Sequence, residues 1–246
     1  MTHEVDFIFN GDCLDLLKDI ADESVDMVLT SPPYDNLRGY EGYTFSFEPI
    51  AEELARIIKP SGVIVWVVGD AVINGSETGT SFQQALHFKS LGLNLHDTMI
   101  FEKNSSTFPS PKTSNRYTQI FEFMFVLSKG KPKAKLICDK ENKWAGHKDF
   151  SGKLKNPVPT HSARTNIWKF TTSFNGVKHP APFPLQLAID HIQTWTDEGD
   201  LVLDPFMGSG TTAVACMRLN RHYIGSEISK NYCDLIEKRI TKERNQ

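Results

Sequence analysis

Cysteine is scarce in this chain, and its four copies, Cys13, Cys138, Cys216 and Cys233, never form a Cys-x-x-Cys pair. Their scatter argues against a zinc site and a disulfide framework, and fits reduced thiols in a cytosolic setting. Isolated cysteines act as small buried hydrophobes, so no nucleophilic or metal-binding work is assigned to them. No apolar run approaches the roughly 20 residues that cross a bilayer, so no membrane association is expected. The opening Met1–Asp6 stretch lacks a basic region followed by an apolar one, and no secretion signal is expected either. Net charge is small, −3, so contact with a polyanion has to come from a local patch. With 39% apolar and 23% charged residues, a chain of 246 residues suits one α/β domain with a buried core.

Two stretches stand out. Val25–Leu29 is a short apolar run leading into Thr30-Ser31-Pro32-Pro33-Tyr34. It reads as a buried parallel strand ending in a rigid loop. The two prolines fix φ and remove two N–H donors, and Ser31 is held extended before Pro32. The loop therefore offers acceptors, the Ser31 hydroxyl and nearby carbonyls, beside an aromatic ring. That combination suits an exocyclic amino group on a flat base; alone it would also read as a capped Pro-rich turn. The second stretch is Leu201-Val202-Leu203-Asp204-Pro205-Phe206-Met207-Gly208-Ser209-Gly210-Thr211-Thr212, a strand running into a Gly-x-Gly turn and a helix. Glycines let backbone approach a ligand, and the amides of a new helix can hold a carboxylate. A following strand, His222–Ser226, ends in Glu227, placed to accept from ribose hydroxyls in a Rossmann-like sheet.

TSPPY together with DPFMGSGTT resembles the amino-methylating DNA methyltransferases, which act on N4 of cytosine or N6 of adenine. The catalytic loop precedes the cofactor loop, as in the circularly permuted beta group, and the similarity covers about Gly11 to Glu237. The resemblance implies an α/β, Rossmann-like fold with a mostly parallel sheet and an antiparallel edge, S-adenosyl-L-methionine as cofactor, and double-stranded DNA as partner. It implies a catalytic set of Ser31, Pro32, Pro33 and Tyr34. It places Asp204, Phe206, Gly208, Ser209, Gly210, Thr211 and Glu227 around the cofactor, with the Asp12–Cys13 turn at its adenine and the Asp12 carboxylate on the amino group. Asp12 also reads as a helix cap. Phe183, in the Pro-rich stretch expected over the methionine portion, stands where many relatives have lysine. Ser31 favours cytosine N4, with adenine N6 as the alternative; RNA methylation and a non-catalytic DNA-binding regulator are further readings. No Pro-Cys pair occurs, which disfavours methylation at cytosine C5. A prokaryotic or phage-encoded cytoplasmic enzyme is implied, and a homodimer and a cognate restriction endonuclease stay open.

Residues 129–155 break the composition, with nine lysines against three acidic residues. This segment, extended to Trp168, is expected to be a basic target-recognition insertion at about 128–168 of a single methyltransferase domain. Lys131, Lys133, Lys135, Lys143, Lys148 and Arg164 are its candidate DNA contacts, with Asn142, Trp144 and His147 able to reach base edges. Arg38 and Arg116 are added from neighbouring loops. A lysine-rich stretch also reads as a solvated loop.

Elsewhere, helices are expected from Leu14 to about Ile20, Glu48 to Ile58, Ser81 to Leu91, Leu185 to Trp195 and Lys230 to Arg239, with a frayed tail after Ile240. Phe82, Leu86 and Phe88 are taken as apolar contacts of the third. Strands are expected at Val63–Val68 and, as an antiparallel pair at the sheet edge, at Leu95–Lys103 and Gln119–Leu127. The aromatic stretch Asp35–Phe47 reads as an active-site lid or a surface loop.

Overall fold

A computed structural model describes residues 5–33, 45–104, 110–143, 145–146, 150–153, 159–171 and 184–245. In chain order the elements are β1 (Phe7–Asn10), α1 (Cys13–Asp19), β2 (Val25–Thr30), α2 (Phe47–Ile57), β3 (Ile58–Val68), β4 (Val72–Ile73), β5 (Ser76–Glu77) and α3 (Thr80–Ser90). There follow β6 (Asn94–Lys103), β7 (Phe121–Ser128), β8 (Lys140–Glu141), β9 (His161–Ser162) and β10 (Ile167–Phe170). The chain closes with α4 (Leu185–Trp195), β11 (Leu201–Asp204), α5 (Thr211–Arg218), β12 (His222–Glu227) and α6 (Lys230–Arg244).

Eight strands form one sheet in the order β1-β12-β11-β2-β3-β7-β6-β10, with β7 antiparallel to both of its neighbours. Helices cover both faces, which is why the central strands are apolar on consecutive residues. Val63, Val65 and Val67 of β3 pack with α4, α5 and α6, while Ile64, Trp66 and Val68 pack with α1, α2 and α3. Strands β11 and β12 come late in the chain yet pair inside the sheet, between β1 and β2. The chain leaves β2 through α2 on one face and leaves β11 through α5 on the other. The crevice between β2 and β11 is thus a topological switch point, where α/β sheets bind ligands.

Several expectations need correction. The antiparallel pair β6–β7 is present, but the edge itself is β10, parallel to β6, with Trp168 opposite Phe101. Strand β10 also takes the end of the expected insertion into the main sheet. The interval left between the expected helix end at Ile58 and the expected strand start at Val63 belongs to β3, as an irregularity where pairing to β2 shifts register. On α3, Phe88 is buried and Phe82, though 51% exposed, packs edge-on against Phe123 with ring centroids 5.2 Å apart, whereas Leu86 is 62% exposed. The last helix does not stop at Arg239. Arg218 grips Glu243 at 2.5 and 3.0 Å and Ile240 is buried, so the final turns are tied to α5. Residues 35–44 of the expected lid lie outside the described residues; Phe45, just beyond them, packs edge-on against Phe206.

Candidate active site

The parallel strands end along one rim of the sheet, which collects Asn10, Thr30, Asp204 and Glu227. A cleft opens there between the turn after β1, the loop after β2 and the loop after β11. Ser31 and Pro33 line one side, Gly11, Asp12 and Cys13 another, and Phe206, Gly208 and Glu227 a third. Motifs far apart in sequence thus meet at one cavity. Tyr34, Arg38, Lys148 and Phe183 lie outside the described residues, as do Trp144 and His147. Pro32 is buried beneath the rim.

Asp12 is an N-cap: its Oδ1 accepts from the Leu14 amide at 2.9 Å, satisfying a donor that the first turn of α1 leaves open. Its carboxylate still borders the cleft. Glu227 closes the other wall. Its Oε2 accepts from the Gly208 amide and its Oε1 from the Ser229 amide, each at 2.9 Å. Burial pushes its pKa up against those hydrogen bonds. Glu227 therefore secures the glycine loop and presents acceptor oxygens to the cleft at once.

Asp204 sits deeper than expected for a residue touching a ligand, at 1% exposure. Its Oδ1 accepts from Thr30 Oγ1 at 2.7 Å and from the Phe206 amide at 3.1 Å, and its Oδ2 accepts from Thr212 Oγ1 at 2.6 Å. Burial raises its pKa to about 6. Ser209, Gly210 and Thr211 are likewise buried behind the cleft wall. Gly210 has φ 80°, a left-handed conformation that favours glycine, and a Cβ there would come within 2.9 Å of Ile236. Gly225 underlies the same loop; a Cβ would lie 2.1 Å from the Met207 methyl and 2.9 Å from the Asp204 carbonyl oxygen.

Sequence reasoning missed the second row of this site. Ser226 donates to the Pro205 carbonyl at 2.7 Å, while Ile228 and Tyr232 line the cleft. From α6, Arg239 donates to the Ser209 carbonyl and, at 3.0 Å, to Ser209 Oγ. An arginine on the inward face of an otherwise charged helix was the available signal. The four cysteines are free thiols, and no metal-holding group of His, Cys, Asp or Glu occurs among the described residues.

Among the described residues, the basic candidates are not brought to this rim as one footprint. Lys135 pairs with Asp197, and its amide donates to the Thr194 carbonyl at the end of α4, where the parallel strands begin. Lys131 and Lys133 are exposed on the same segment, which departs from Lys129, itself hydrogen-bonded to Ser61 and Gly62 at the foot of β3. Arg116 bonds the Gly75 carbonyl and lies 3.8 Å from Glu77, so it secures the β4–β5 hairpin. Arg164 is clamped between Asp139, at 2.5 and 2.8 Å, and Asp190, at 2.5 Å, and stands 5.2 Å over the Trp168 ring. Lys143 is exposed beside β8.

The profile of the DNA methylase family, N6_N4_Mtase, matches residues 25–238. The chain belongs to the N6/N4 DNA methylase family. Among curated members it is 51% identical over 244 residues to the orphan methyltransferase M.BamHII of Bacillus amyloliquefaciens, covering 91% of each chain. The PvuII DNA methyltransferase, described as cytosine-N4-specific, shares the fold with a TM-score of 0.74 at 24% identity, over 97% of this chain and 90% of that one. The M1.HpyAVI–SAM complex aligns with a TM-score of 0.64 at 27% identity, over 94% and 98%. This N6/N4 methylase thus has the mostly parallel α/β fold of the S-adenosylmethionine-dependent DNA methyltransferases.

Proposed function

We propose that this chain transfers a methyl group from S-adenosylmethionine to the exocyclic N4 amino group of a cytosine flipped out of duplex DNA. The observation that carries the reading is the position of Ser31, at the end of β2 and lining the same cleft as Asp12, Gly208 and Glu227. The residues present suit the cofactor. Asp12 and Glu227 offer carboxylate oxygens for an amino group and for ribose hydroxyls, and Phe206, Ile228 and Tyr232 supply flat and apolar walls. When bound, S-adenosylmethionine supplies an electrophilic sulfonium methyl.

The chain's part is positioning. An amino lone pair on cytosine is delocalised into the ring and is a poor nucleophile. Ser31 Oγ and the Pro32 carbonyl would each accept a hydrogen bond from the amino N–H groups, which makes the nitrogen more tetrahedral and directs its lone pair at the methyl group. As the new N–C bond forms the C–S bond would break, and one amino proton would leave to solvent. Tyr34 supplies the ring on which the flipped base stacks, and flipping costs on the order of a few kcal/mol. No covalent enzyme intermediate is involved, and buried Cys13 at the cleft has no role in the chemistry.

Mass spectrometry of nucleosides from DNA treated with the purified chain and labelled cofactor tests the reading. N4-methylcytosine is expected. N6-methyladenine would keep the positioning argument and reverse the base assignment from Ser31. Absence of label in any DNA would turn attention to RNA, or to a regulator that binds without turnover.

A further inference from the structure

The backbone ladder between β2 and β11 is short. It pairs Val202 with Met27 and Leu203 with Val28, and stops before the last residues of either strand. Beyond that point the crevice opens toward the cleft, and a side-chain connection takes over. Thr30, the residue before Ser31, donates to Asp204 at 2.7 Å, and Thr212, in the first turn of α5, donates to the other Asp204 oxygen at 2.6 Å. Both threonines are fully buried. The Phe206 amide donates to the oxygen that Thr30 uses. One carboxylate therefore holds the end of the catalytic strand, the start of the glycine loop and the helix that follows it.

We infer that Thr30, Asp204 and Thr212 form a clasp that sets Ser31 against the cofactor loop, which makes both threonines positioning residues for methyl transfer. The inference rests on the reading of Ser31 given above. Burying a carboxylate is costly unless it is fully hydrogen-bonded, and valine would fill either threonine site with the same volume. Core packing alone gives no reason for this trio. In-line transfer does: a misplacement of about 1 Å between reacting groups costs about 100-fold in rate.

The clasp has an ionic signature. It holds in the form in which Asp204 accepts from all three donors, which is the carboxylate. The titratable groups that face it are Glu227 from β12 and the Cys216 thiol from α5, held neutral by burial, while β2 presents only the Thr30 hydroxyl. Each hydroxyl that donates to Asp204 lowers its pKa, so removing one raises it further.

The test uses the full chain, unmethylated plasmid DNA and labelled S-adenosylmethionine, with single-turnover rates across pH and calorimetric cofactor binding. Thr30→Val and Thr212→Val are each expected to slow transfer about 10- to 100-fold, with cofactor Kd changed less than about threefold. The acid limb of the wild-type profile, near 6, should move to higher pH in both. Thr30→Ser, which keeps the hydroxyl, should restore rate and profile, and the double valine variant should lose less than the product of the single losses. A folded Thr30→Val or Thr212→Val protein with the wild-type rate and acid limb overturns the clasp. So does a rate that falls only in proportion to the unfolded fraction. A wild type that transfers no methyl group removes the reading of Ser31, and the clasp with it; active wild type with unaffected valine variants removes the clasp alone.

Discussion

In the inner strands β1, β12, β11 and β2, the carboxylates at the rim face backbone amides and hydroxyls: Asp12 holds Leu14, Glu227 holds Gly208 and Ser229, and Asp204 holds two threonines and Phe206. In the outer part of the chain, carboxylates face cations. Arg164 joins Asp139 to Asp190, Lys135 meets Asp197, and Lys169 meets Glu102 at 2.7 Å. The first arrangement ties loops to one another through backbone amides and hydroxyls and leaves carboxylate oxygens at the cleft wall. The second joins the insertion to α4 and the sheet edge. A run of lysines in sequence thus says how much charge a segment carries, and not where that charge is used.

The sharpest way to break this contrast is Ser31→Ala. Removing one hydrogen-bond group aimed at the reacting centre should cost about 100- to 1,000-fold in single-turnover transfer, with cofactor affinity within a few-fold of wild type. Full activity would shift the chemistry away from the rim.

The outer region should respond in stability. Arg164→Ala leaves Asp190, whose side chain is 7% exposed, without its cation; a loss of about 2–3 kcal/mol is expected, below the roughly 3–5 kcal/mol of a fully buried pair because Arg164 itself is 27% exposed. Urea titration measures it. A tenfold loss of DNA affinity at unchanged stability would return Arg164 to the DNA-contacting set.

Two buried groups pull stability in opposite directions with pH. His191, enclosed by Trp168, Trp195 and Met124, is held by burial at a pKa of about 3, below its ordinary 6.5. The unfolded chain therefore binds this proton first, and stability falls as pH drops through that window. Asp204, raised from 3.8 to about 6, binds its proton first in the folded state, so acidification across 6 to 3.8 adds stability. Unfolding free energies at pH 6.5 and 4.5 should show His191→Gln losing less on acidification than wild type.

The smallest effect belongs to Lys131, Lys133 and Lys135. Replacing all three by alanine should change stability by less than about 0.5 kcal/mol. It should also leave the salt dependence of DNA binding unchanged, whereas each lost phosphate contact would lower that slope by about 0.9. A drop of two or more would restore the basic footprint.

The legibility of the sequence follows the same divide. Val25–Leu29 before Ser-Pro-Pro, and Leu201–Asp204 before a glycine turn, announce their strands because apolar runs, prolines and glycines act on neighbouring residues. Thr30 and Thr212 sit inside the two motifs without their roles being marked there: Thr30 depends on an aspartate 174 residues away that sheet order brings near, and Thr212 on the loop that turns it back to the same aspartate 8 residues before it. Strand β10 is four residues long, Ile-Trp-Lys-Phe, too short for its alternating burial to be legible as a strand. On α3, Phe82 and Leu86 fall one turn apart, yet Phe82 meets Phe123 at the sheet while Leu86 stays exposed.

The reversal of β7 bears on how the chain can be re-engineered. Because that strand runs against its neighbours, the polypeptide quits the sheet at the rim opposite Ser31, follows α4 through Lys135 and Arg164, and rejoins as β10. Between Lys135 and Arg164, β8 and β9 pair as a two-stranded sheet of their own. Sequence inserted or exchanged between its strands would be carried outside the eight-stranded sheet. A chimera made there should keep the parent's melting temperature and cofactor affinity while acquiring a different outer surface.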